Sequence, residues 1–380
     1  MDMKKWKLML GILAAVLTVG TGSVSAAKES KIALNYKDTG MGSSQIIVES
    51  TTFVPLKSLA AAMGYTLSWN QKAKSANLIR PDREVIFTLG ATLVKVNGTS
   101  LPLSKTPRMV NGSIYVPLVS AVHASGGRIG YNSSSGQLDI VDIPRFVTAS
   151  VKGRSYWVSQ KNGEVYYLST STGKPDKIGN IPLKESPYTQ QLELKEAGSG
   201  SDLLFLKDDH YAMFNDFSNG YQLLIQNKKI VKQMDYHYVT SSYQHAPLLK
   251  TTQLFMTDGQ SVQYIKQNGS LGQLYELEKI TGQTGFFKVE YAAEDLMLVR
   301  SVDTIQLFAI NTNYSQSTNL SLQLISPEDQ KDWNNIDAKD MYVLPRMLVL
   351  TKRAGNILTF NYTPILTEKV KTVTYTLVSK

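Results

Sequence analysis

Between residues 50 and 141 the order of apolar and polar positions repeats. Phe53-Val54-Pro55-Leu56 recurs as Tyr115-Val116-Pro117-Leu118. At the same offset of 62, without gaps, Gly64 falls on Gly126, Leu67 on Ile129, Trp69 on Tyr131, Asn70 on Asn132 and Leu78 on Ile140. Such agreement in one register predicts two copies of one supersecondary unit. Each copy reads as an aromatic–Val strand running into proline, whose missing N–H suits a first helical turn. Short Ala-rich helices follow, Lys57 to Met63 and Val119 to Ser125, closed by Gly64 and Gly126, since glycine accepts the left-handed conformation that ends a helix. Tyr65 to Trp69 then alternates with period two, as a half-buried strand does. Asn70 to Lys74 and Asn132 to Gly136 are turns, and Ala76 to Ile79 and Leu138 to Val141 return, so each copy ends in a hairpin. Between the copies Val85 to Leu89 and Leu93 to Val96 are strands separated at Gly90, and Asn97-Gly98 and Asn111-Gly112 are two-residue turns. The upstream strands of the first copy, within Lys31 to Val48, are eroded. These elements predict an α+β module of short antiparallel strands with two small helices.

From residue 146 the pattern changes to aromatic strands between turns. Strand cores fall at Tyr156 to Val158, Leu203 to Leu206, Leu254 to Met256, Leu296 to Val299 and Met347 to Leu350. Second strands follow at Val165 to Leu168, Tyr221 to Ile225, Val262 to Ile265, Ile305 to Ile310 and Ile357 to Phe360. Asn162-Gly163, Asp258-Gly259, Asn268-Gly269 and Gly355-Asn356 sit where hairpins need turns. A spacing of roughly 40–50 residues between such units is that of a β-propeller, here with five blades. An irregular β-sandwich or two small β domains fit the same strands. Leu183 to Leu194 and Pro327 to Asp340 read as polar surface loops or a short helix, with Trp333 as an apolar anchor. The expected division is 1–26 a signal peptide, 27–143 the repeated module and 146–380 the all-β domain, joined near Ile143-Pro144-Arg145.

The signal peptide follows from three zones. Lys4, Lys5 and Lys7 precede an apolar or small run, Leu8 to Val19, and a small-residue stretch ends in Val24-Ser25-Ala26. The run is short of the ~20 residues that cross a bilayer. Cleavage after Ala26 is expected; an uncleaved anchor is the other reading. No other segment is long and apolar enough to span a membrane, so the expected place is outside the cell, at the envelope or secreted.

Of 380 residues 42% are hydrophobic, enough for real cores, and there is no Cys. Disulfides, thiolate metal sites and thiol nucleophiles are thereby excluded. The formal charge of +9 is uneven: residues 27–145 carry thirteen Lys or Arg against seven acids, and residues 146–380 twenty-four against twenty-three. A basic exported module can attract anionic polymers or phospholipid surfaces; plain solubility explains the same surplus. No Arg-rich stripe interleaved with aromatics suggests nucleic acid.

Asn111-Gly112-Ser113-Ile114-Tyr115-Val116-Pro117-Leu118 and Val54-Pro55-Leu56-Lys57, with Trp69-Asn70, resemble the copper amine oxidase N-terminal-like (stalk) domain of exported Gram-positive proteins, over about residues 31–142. The resemblance implies attachment or spacing at the envelope; the downstream strands look like the propellers that often follow this domain. Its usual Arg after V-P-L is Lys57 in one copy and Val119 in the other, and its usual helix Glu is Ala61 and His123, so any role for that charged pair is in doubt. The family's oxidase chemistry resides in a separate, larger domain. Thr359 to Thr363 lacks the spacing and acid of its cofactor motif, so oxidase activity is not expected.

Candidate chemistry is sparse. The four His are His123, His210, His237 and His245, and none stands at a standard metal spacing. Asp208-Asp209 and Glu294-Asp295 are adjacent acids that point apart in a strand and read as loop charges. Asp329 to Asp340 misses the calcium-loop spacing; phosphate-loop, dinucleotide and nucleophile-elbow motifs are absent. Tyr236, Tyr238 and Tyr243 could stack on sugars or simply pack. No catalytic, cofactor or metal residue is nominated, and the ligand-binding residues are unknown. The expected function is a non-catalytic envelope protein whose β part recognises a wall glycan, an anionic envelope polymer or another exported protein. The alternative is a secreted polysaccharide hydrolase or lyase with its site in the mouth of the β domain.

Overall fold

A computed structural model describes residues 31–143, 145–169, 173–187, 189–198, 200–211, 216–239, 250–334 and 346–377. The proposed leader, Pro144, Tyr243 and His245 lie outside the described residues. The chain divides into two compact units. The first takes the described residues up to Met63, with Asn70–Ala76 and Val85–Asp142; the second takes Gly64–Trp69, Asn77–Glu84 and the described residues from Ile143 onward.

The repeated region has thirteen strands and two helices. In order they are β1 (Ile32–Leu34), β2 (Lys37–Asp38), β3 (Ile46–Val48), β4 (Thr51–Pro55), α1 (Leu56–Ala62), β5 (Thr66–Asn70), β6 (Ser75–Arg80) and β7 (Arg83–Thr88), then β8 (Leu93–Val96), β9 (Thr99–Pro102), β10 (Arg108–Val110), β11 (Ser113–Pro117), α2 (Leu118–Ala124), β12 (Arg128–Asn132) and β13 (Gln137–Val141). The offset of 62 carries β3 onto β10, β4 onto β11, α1 onto α2 and β5 onto β12. It also carries the β1–β2 pairing of Leu34 with Lys37 onto the β8–β9 pairing of Val96 with Thr99. The repeat therefore reaches back to Ile32, beyond its limit in the sequence; β7 lies between the copies.

The copies meet through their equivalent strands. β4 and β11 are antiparallel, with Val54 opposite Val116, Phe53 opposite Pro117 and Pro55 opposite Tyr115. Val54 thus faces its own counterpart and the flanking pairs are exchanged, Phe53 with Pro117 and Pro55 with Tyr115, as across a two-fold axis. Both valines are fully buried, and the sheet runs β10-β11-β4-β3. Each helix packs on the strands of both copies and buries the same face: Leu56, Leu59 and Ala60 in α1, Leu118, Ala121 and Val122 in α2. Seven-residue helices are too short to persist alone, so that burial holds them. The prolines end their strands as N-cap residues at φ −59° and −64° rather than sitting inside the first turn. β1 joins the sheet of the second copy by pairing in parallel with β13, Ile32 opposite Leu138.

Left-handed backbone positions persist through the duplication, and at three of them the residue has changed. Gly98, Gly112 and Gly136 have φ of 84°, 77° and 68°; their counterparts Tyr36, Ser50 and Lys74 have 66°, 59° and 48°. At these three the second copy has glycine, which suits positive φ, and the first does not, whereas Gly64 and Gly126 keep glycine in both. Leu67 and Trp69, expected on a half-buried strand, are 38% and 40% exposed.

The second unit builds five antiparallel sheets in chain order. Sheet I is β14 (Phe146–Val151), β15 (Arg154–Ser159), β16 (Glu164–Ser169) and β17 (Asp176–Asn180); sheet II is β18 (Thr189–Glu196), β19 (Ser201–His210), β20 (Phe217–Gln226) and β21 (Lys229–Val239). Sheet III is β22 (Phe255–Thr257), β23 (Ser261–Ile265) and β24 (Leu271–Glu276), followed by α3 (Leu277–Thr281). Sheet IV is β25 (Phe287–Ala292), β26 (Leu296–Ser301), β27 (Leu307–Asn311) and β28 (Gln316–Asn319). After α4 (Leu320–Leu324) and α5 (Pro327–Asn334), sheet V is β29 (Val349–Ala354), β30 (Ile357–Tyr362) and β31 (Lys371–Thr376). Separate apolar clusters join sheets I to II, II to III, III to IV and IV to V. Trp157, on the other face of sheet I, packs with Ile79 and Leu168 and donates its indole N–H to the Gly64 carbonyl at 3.0 Å.

Three expectations change here. Thr189–Glu196 is a strand rather than a loop, because Leu192 and Leu194 alternate onto the core between sheets I and II. The strand expected from Ile305 starts at Leu307, since Ile305 is left-handed at φ 55°. Asp208 and Asp209 lie within β19 and are 1% and 4% exposed, so they are not loop charges. Trp333 anchors α5 as expected, buried with sheets IV and V.

The left-handed positions give a direct test. An L-residue there costs roughly 1–2 kcal/mol, of which glycine's extra unfolded freedom returns roughly 0.5–1. The triple variant Tyr36→Gly, Ser50→Gly, Lys74→Gly is expected to stabilise the first unit by about 1.5–3 kcal/mol in all. Chemical unfolding of the full chain with hydrogen exchange on β4 and β11 reads this out; unchanged or weaker protection would count against it.

Candidate functional site

In the second unit a recess of about 310 Å³ is lined by Lys207, Ser218, Gln222, Tyr236, Tyr238, Phe255, Thr257, Lys288 and Val289. That volume is at the small end of ligand sites, which run ~300–1,000 Å³. Sheet II supplies the first five residues, sheet III Phe255 and Thr257, and sheet IV Lys288 and Val289.

Alternation along the strands places these side chains. In β19 Leu204, Leu206, Asp208 and His210 take the face toward sheet I, leaving Lys207 and Asp209 on the other. Asp209 accepts from Ser218 Oγ and pairs with Lys207 at 2.9 Å. Gly220 stands opposite Tyr236, and a Cβ on it would fall 2.1 Å from the ring; glycine makes room for the phenol to lie across β20. The Tyr236 and Tyr238 rings are 4.6 Å apart. Tyr238 donates to the Phe287 carbonyl at 2.8 Å, and Gln222 Oε1 accepts the Thr257 N–H at 2.8 Å, so the wall is tied across three sheets.

Burial drives the electrostatics of the recess. It raises both phenols, Tyr236 further beside Tyr238 and Tyr238 further beside Asp258, so both stay neutral donors. Burial also pulls the Lys288 ammonium down to about 8. Glu290 opposes that shift, while Arg300 and Lys207 add to it. Arg300 lies directly opposite Lys288 across β25 and β26 and is 2% exposed. It grips Glu290 with Nε at 2.5 Å and Nη2 at 2.9 Å, and donates to the carbonyls of Ile305 and Leu348. Glu290, the carboxylate that opposes the Lys288 shift, is thus also bound by the Arg300 guanidinium.

The other nominated groups fall elsewhere. His123 is exposed on α2. His210 bonds Asp208 at 3.0 Å and stacks on Phe217 at 4.4 Å; His237 bonds Asn219 at 2.8 Å. Both line the opposite face of sheet II from the recess. Glu294 is exposed in a turn, and Asp295 binds Arg353 at 2.5 Å. Asp329 is buried, accepting from Tyr362 OH and Lys371. Among the described residues no group of three or more His, Asp or Glu is placed to hold a metal ion. Of the expected aromatic surface, Tyr236 and Tyr238 meet in the recess. Lys207 and Lys288 were not nominated; a Lys in an inward register, as in Phe287-Lys288-Val289, is the signal that marks the second.

Residues 33–140 match the family model described as the copper amine oxidase N-terminal domain, the non-catalytic part of those enzymes. A stretch of 127 residues is 29% identical to a protease inhibitor of Brevibacillus choshinensis, covering 30% of this chain and 37% of that protein. The chain thus spans little more than a third of that relative. Among solved structures, apo AztD from Citrobacter koseri aligns over 67% of this chain and 85% of its own at 10% identity and a TM-score of 0.21. The WD40 domain of SCAP from fission yeast aligns over 82% and 62% at 11% identity and a TM-score of 0.20. Scores that low transfer neither fold nor function. Among the described residues no helix is long and apolar enough to cross a membrane.

Lys288 makes stability depend on pH in a specific direction. Its folded value lies below the unfolded one, 10.5 falling to about 8, so the unfolded chain binds more protons in that interval and stability rises with pH across it. Lys288→Met is expected to match or exceed the wild-type Tm at pH 7, with that advantage shrinking toward pH 10. A constant difference between pH 7 and pH 10 would show that Lys288 titrates normally.

Proposed function

We propose that this is a non-catalytic exported protein of the cell envelope. The repeated module attaches or spaces it, and the β part, arranged as a five-bladed propeller, recognises a glycan or an anionic polymer of the wall. The recess carries the reading: among the described residues two lysines and three aromatic rings line it, and the carboxylate beside them, Asp209, is engaged by Lys207 and Ser218. A glycosidase would need paired carboxylates at the bond it cleaves; this lining suits holding a ligand. The stalk-type match over residues 33–140 and the basic surplus of residues 27–145 support the attachment role. The leader-like start supports export, with removal after Ala26.

The Brevibacillus relative favours a second reading, inhibition of a protease by this chain. Titration against purified proteases secreted by the same host separates the two, since a wall-binding protein leaves their activity unchanged.

Two measurements test the main reading. Protein exported from a Gram-positive host is expected to begin at Ala27 by N-terminal sequencing; retention inside the cell would remove the envelope role. The purified chain from Ala27 onward is expected to sediment with isolated walls and to be released progressively between low salt and 0.5 M salt, as screening predicts. Failure to sediment, or retention that ignores salt, would defeat it.

A further inference from the structure

We propose that Asn111 is a site of spontaneous covalent modification, where the side chain closes on the Gly112 nitrogen and reopens as isoaspartate, lengthening the turn between β10 and β11.

Four Asn-Gly pairs stand in turns: Asn97-Gly98, Asn111-Gly112, Asn162-Gly163 and Asn268-Gly269. In such a pair the glycine leaves its amide nitrogen without a side chain to shield it. Attack of that nitrogen on the asparagine Cγ needs both groups unoccupied and room for a five-membered ring. At two pairs the fold denies this. The Gly163 and Gly269 N–H groups donate to the carbonyls of Ser159 and Lys266 at 2.9 and 2.8 Å. Asn162 Oδ1 accepts the Glu164 N–H at 3.3 Å, and Asn268 Oδ1 accepts the Ser270 N–H and hydroxyl at 3.0 and 2.7 Å. Space is closed as well: a Cβ on Gly163 would strike the Ile181 carbonyl, and one on Gly269 the Ser201 side chain.

Asn111-Gly112 differs in each respect. Both residues are exposed, and nothing lies within 4 Å of where a Gly112 Cβ would stand. Among the described residues no hydrogen bond holds the Asn111 side chain or the Gly112 N–H. The pair is the whole of a two-residue turn, with φ of 48° and 77° and Val110 opposite Ser113. Asn97 stands in a like turn and is engaged in an interaction within the fold. Giving up a hydrogen bond of ordinary net strength before attack slows a reaction by roughly tenfold, so Asn111 outpaces Asn162 and Asn268.

The reaction needs only water. Solvent base takes the Gly112 amide proton, the N–Cγ bond forms, and the Cγ–Nδ2 bond breaks as ammonia leaves. Water then opens the ring. Cleavage between nitrogen and Cγ gives aspartate; cleavage between nitrogen and the Asn111 main-chain carbonyl gives isoaspartate, with the chain routed through Cβ and Cγ. Nothing is oxidised or reduced. Isoaspartate adds one carbon to the main chain of a turn whose length sets the register of Arg108 with Tyr115 and Met109 with Ile114. β11 is also the strand that meets β4, so the change loosens the sheet that joins the two copies.

Incubation of the purified full chain in mildly alkaline buffer, followed by peptide mapping of each pair by mass spectrometry, tests this. Asn111 is expected to convert at least ten times faster than Asn162 and Asn268, with isoaspartate as the larger product. In denaturant, where no fold protects any pair, the three rates should converge. Equal rates in the folded chain, aspartate as the sole product, or the same ranking in denaturant overturns the proposal. Asn111→Asp keeps a residue suited to the turn and adds the charge without the extra carbon. Hydrogen exchange on β10 and β11 should match the wild type in that variant and be at least tenfold faster in the isoaspartate form. Equal exchange in the two forms would overturn the loosening of the sheet.

Discussion

Backbone pairing of Val54 with Val116 is the contact around which the repeated module is organised. A segment paired with its own duplicate makes each half the complement of the other: α1 and α2 each lie on strands of both copies, and neither Leu56 and Leu59 nor Leu118 and Val122 would be covered by one copy alone. Burying a Leu or Val side chain is worth ~1.5–3 kcal/mol, and helices of seven residues have little else to hold them. The duplication is thus the smallest arrangement that closes this core. The same logic explains what drifted. Side chains on the turns changed freely, as Gly98, Gly112 and Gly136 against Tyr36, Ser50 and Lys74 show, while the dihedrals those turns demand did not.

This difference also sets how much was legible in the sequence. Copy two could be read because its turns still use Asn and Gly, whose preference for positive φ is local. The first turns of copy one, Asn35-Tyr36 and Glu49-Ser50, have the same geometry without the glycine, and β1 to β3 read as eroded. In the second unit two strands of each sheet were found, β15 and β16, β19 and β20, β22 and β23, β26 and β27, β29 and β30. The others were not, because a strand such as Thr189–Glu196 offers only Leu192 and Leu194 to the core. Of the recess, Tyr236 and Tyr238 were visible as aromatics and the lysines were not: their meeting depends on three sheets coming together, which no spacing along the chain encodes.

The tyrosine content acquires a physical reason in the second unit. Sheets stacked through apolar faces still leave strand ends and turns with carbonyls to satisfy, and the phenol is long enough to reach from one sheet to the next. Tyr238 and Tyr264 each donate to a backbone carbonyl of sheet IV or its turn, Phe287 and Ala293. Tyr275 reaches the Thr312 carbonyl, and Tyr156 donates to Asp202 at 2.7 Å beside the Arg154 guanidinium. Such groups give apolar area and a hydrogen bond from one side chain, which suits a chain with no Cys to cross-link its sheets.

The parallel pairing of Ile32 with Leu138 fixes an order of events. A chain emerging amino end first presents β1 long before its partner exists, so that strand must wait, without its β13 partner, until β13 has left the ribosome. Joining segments so distant in sequence is entropically late in folding. The module consequently closes only once nearly all of its own residues have been made.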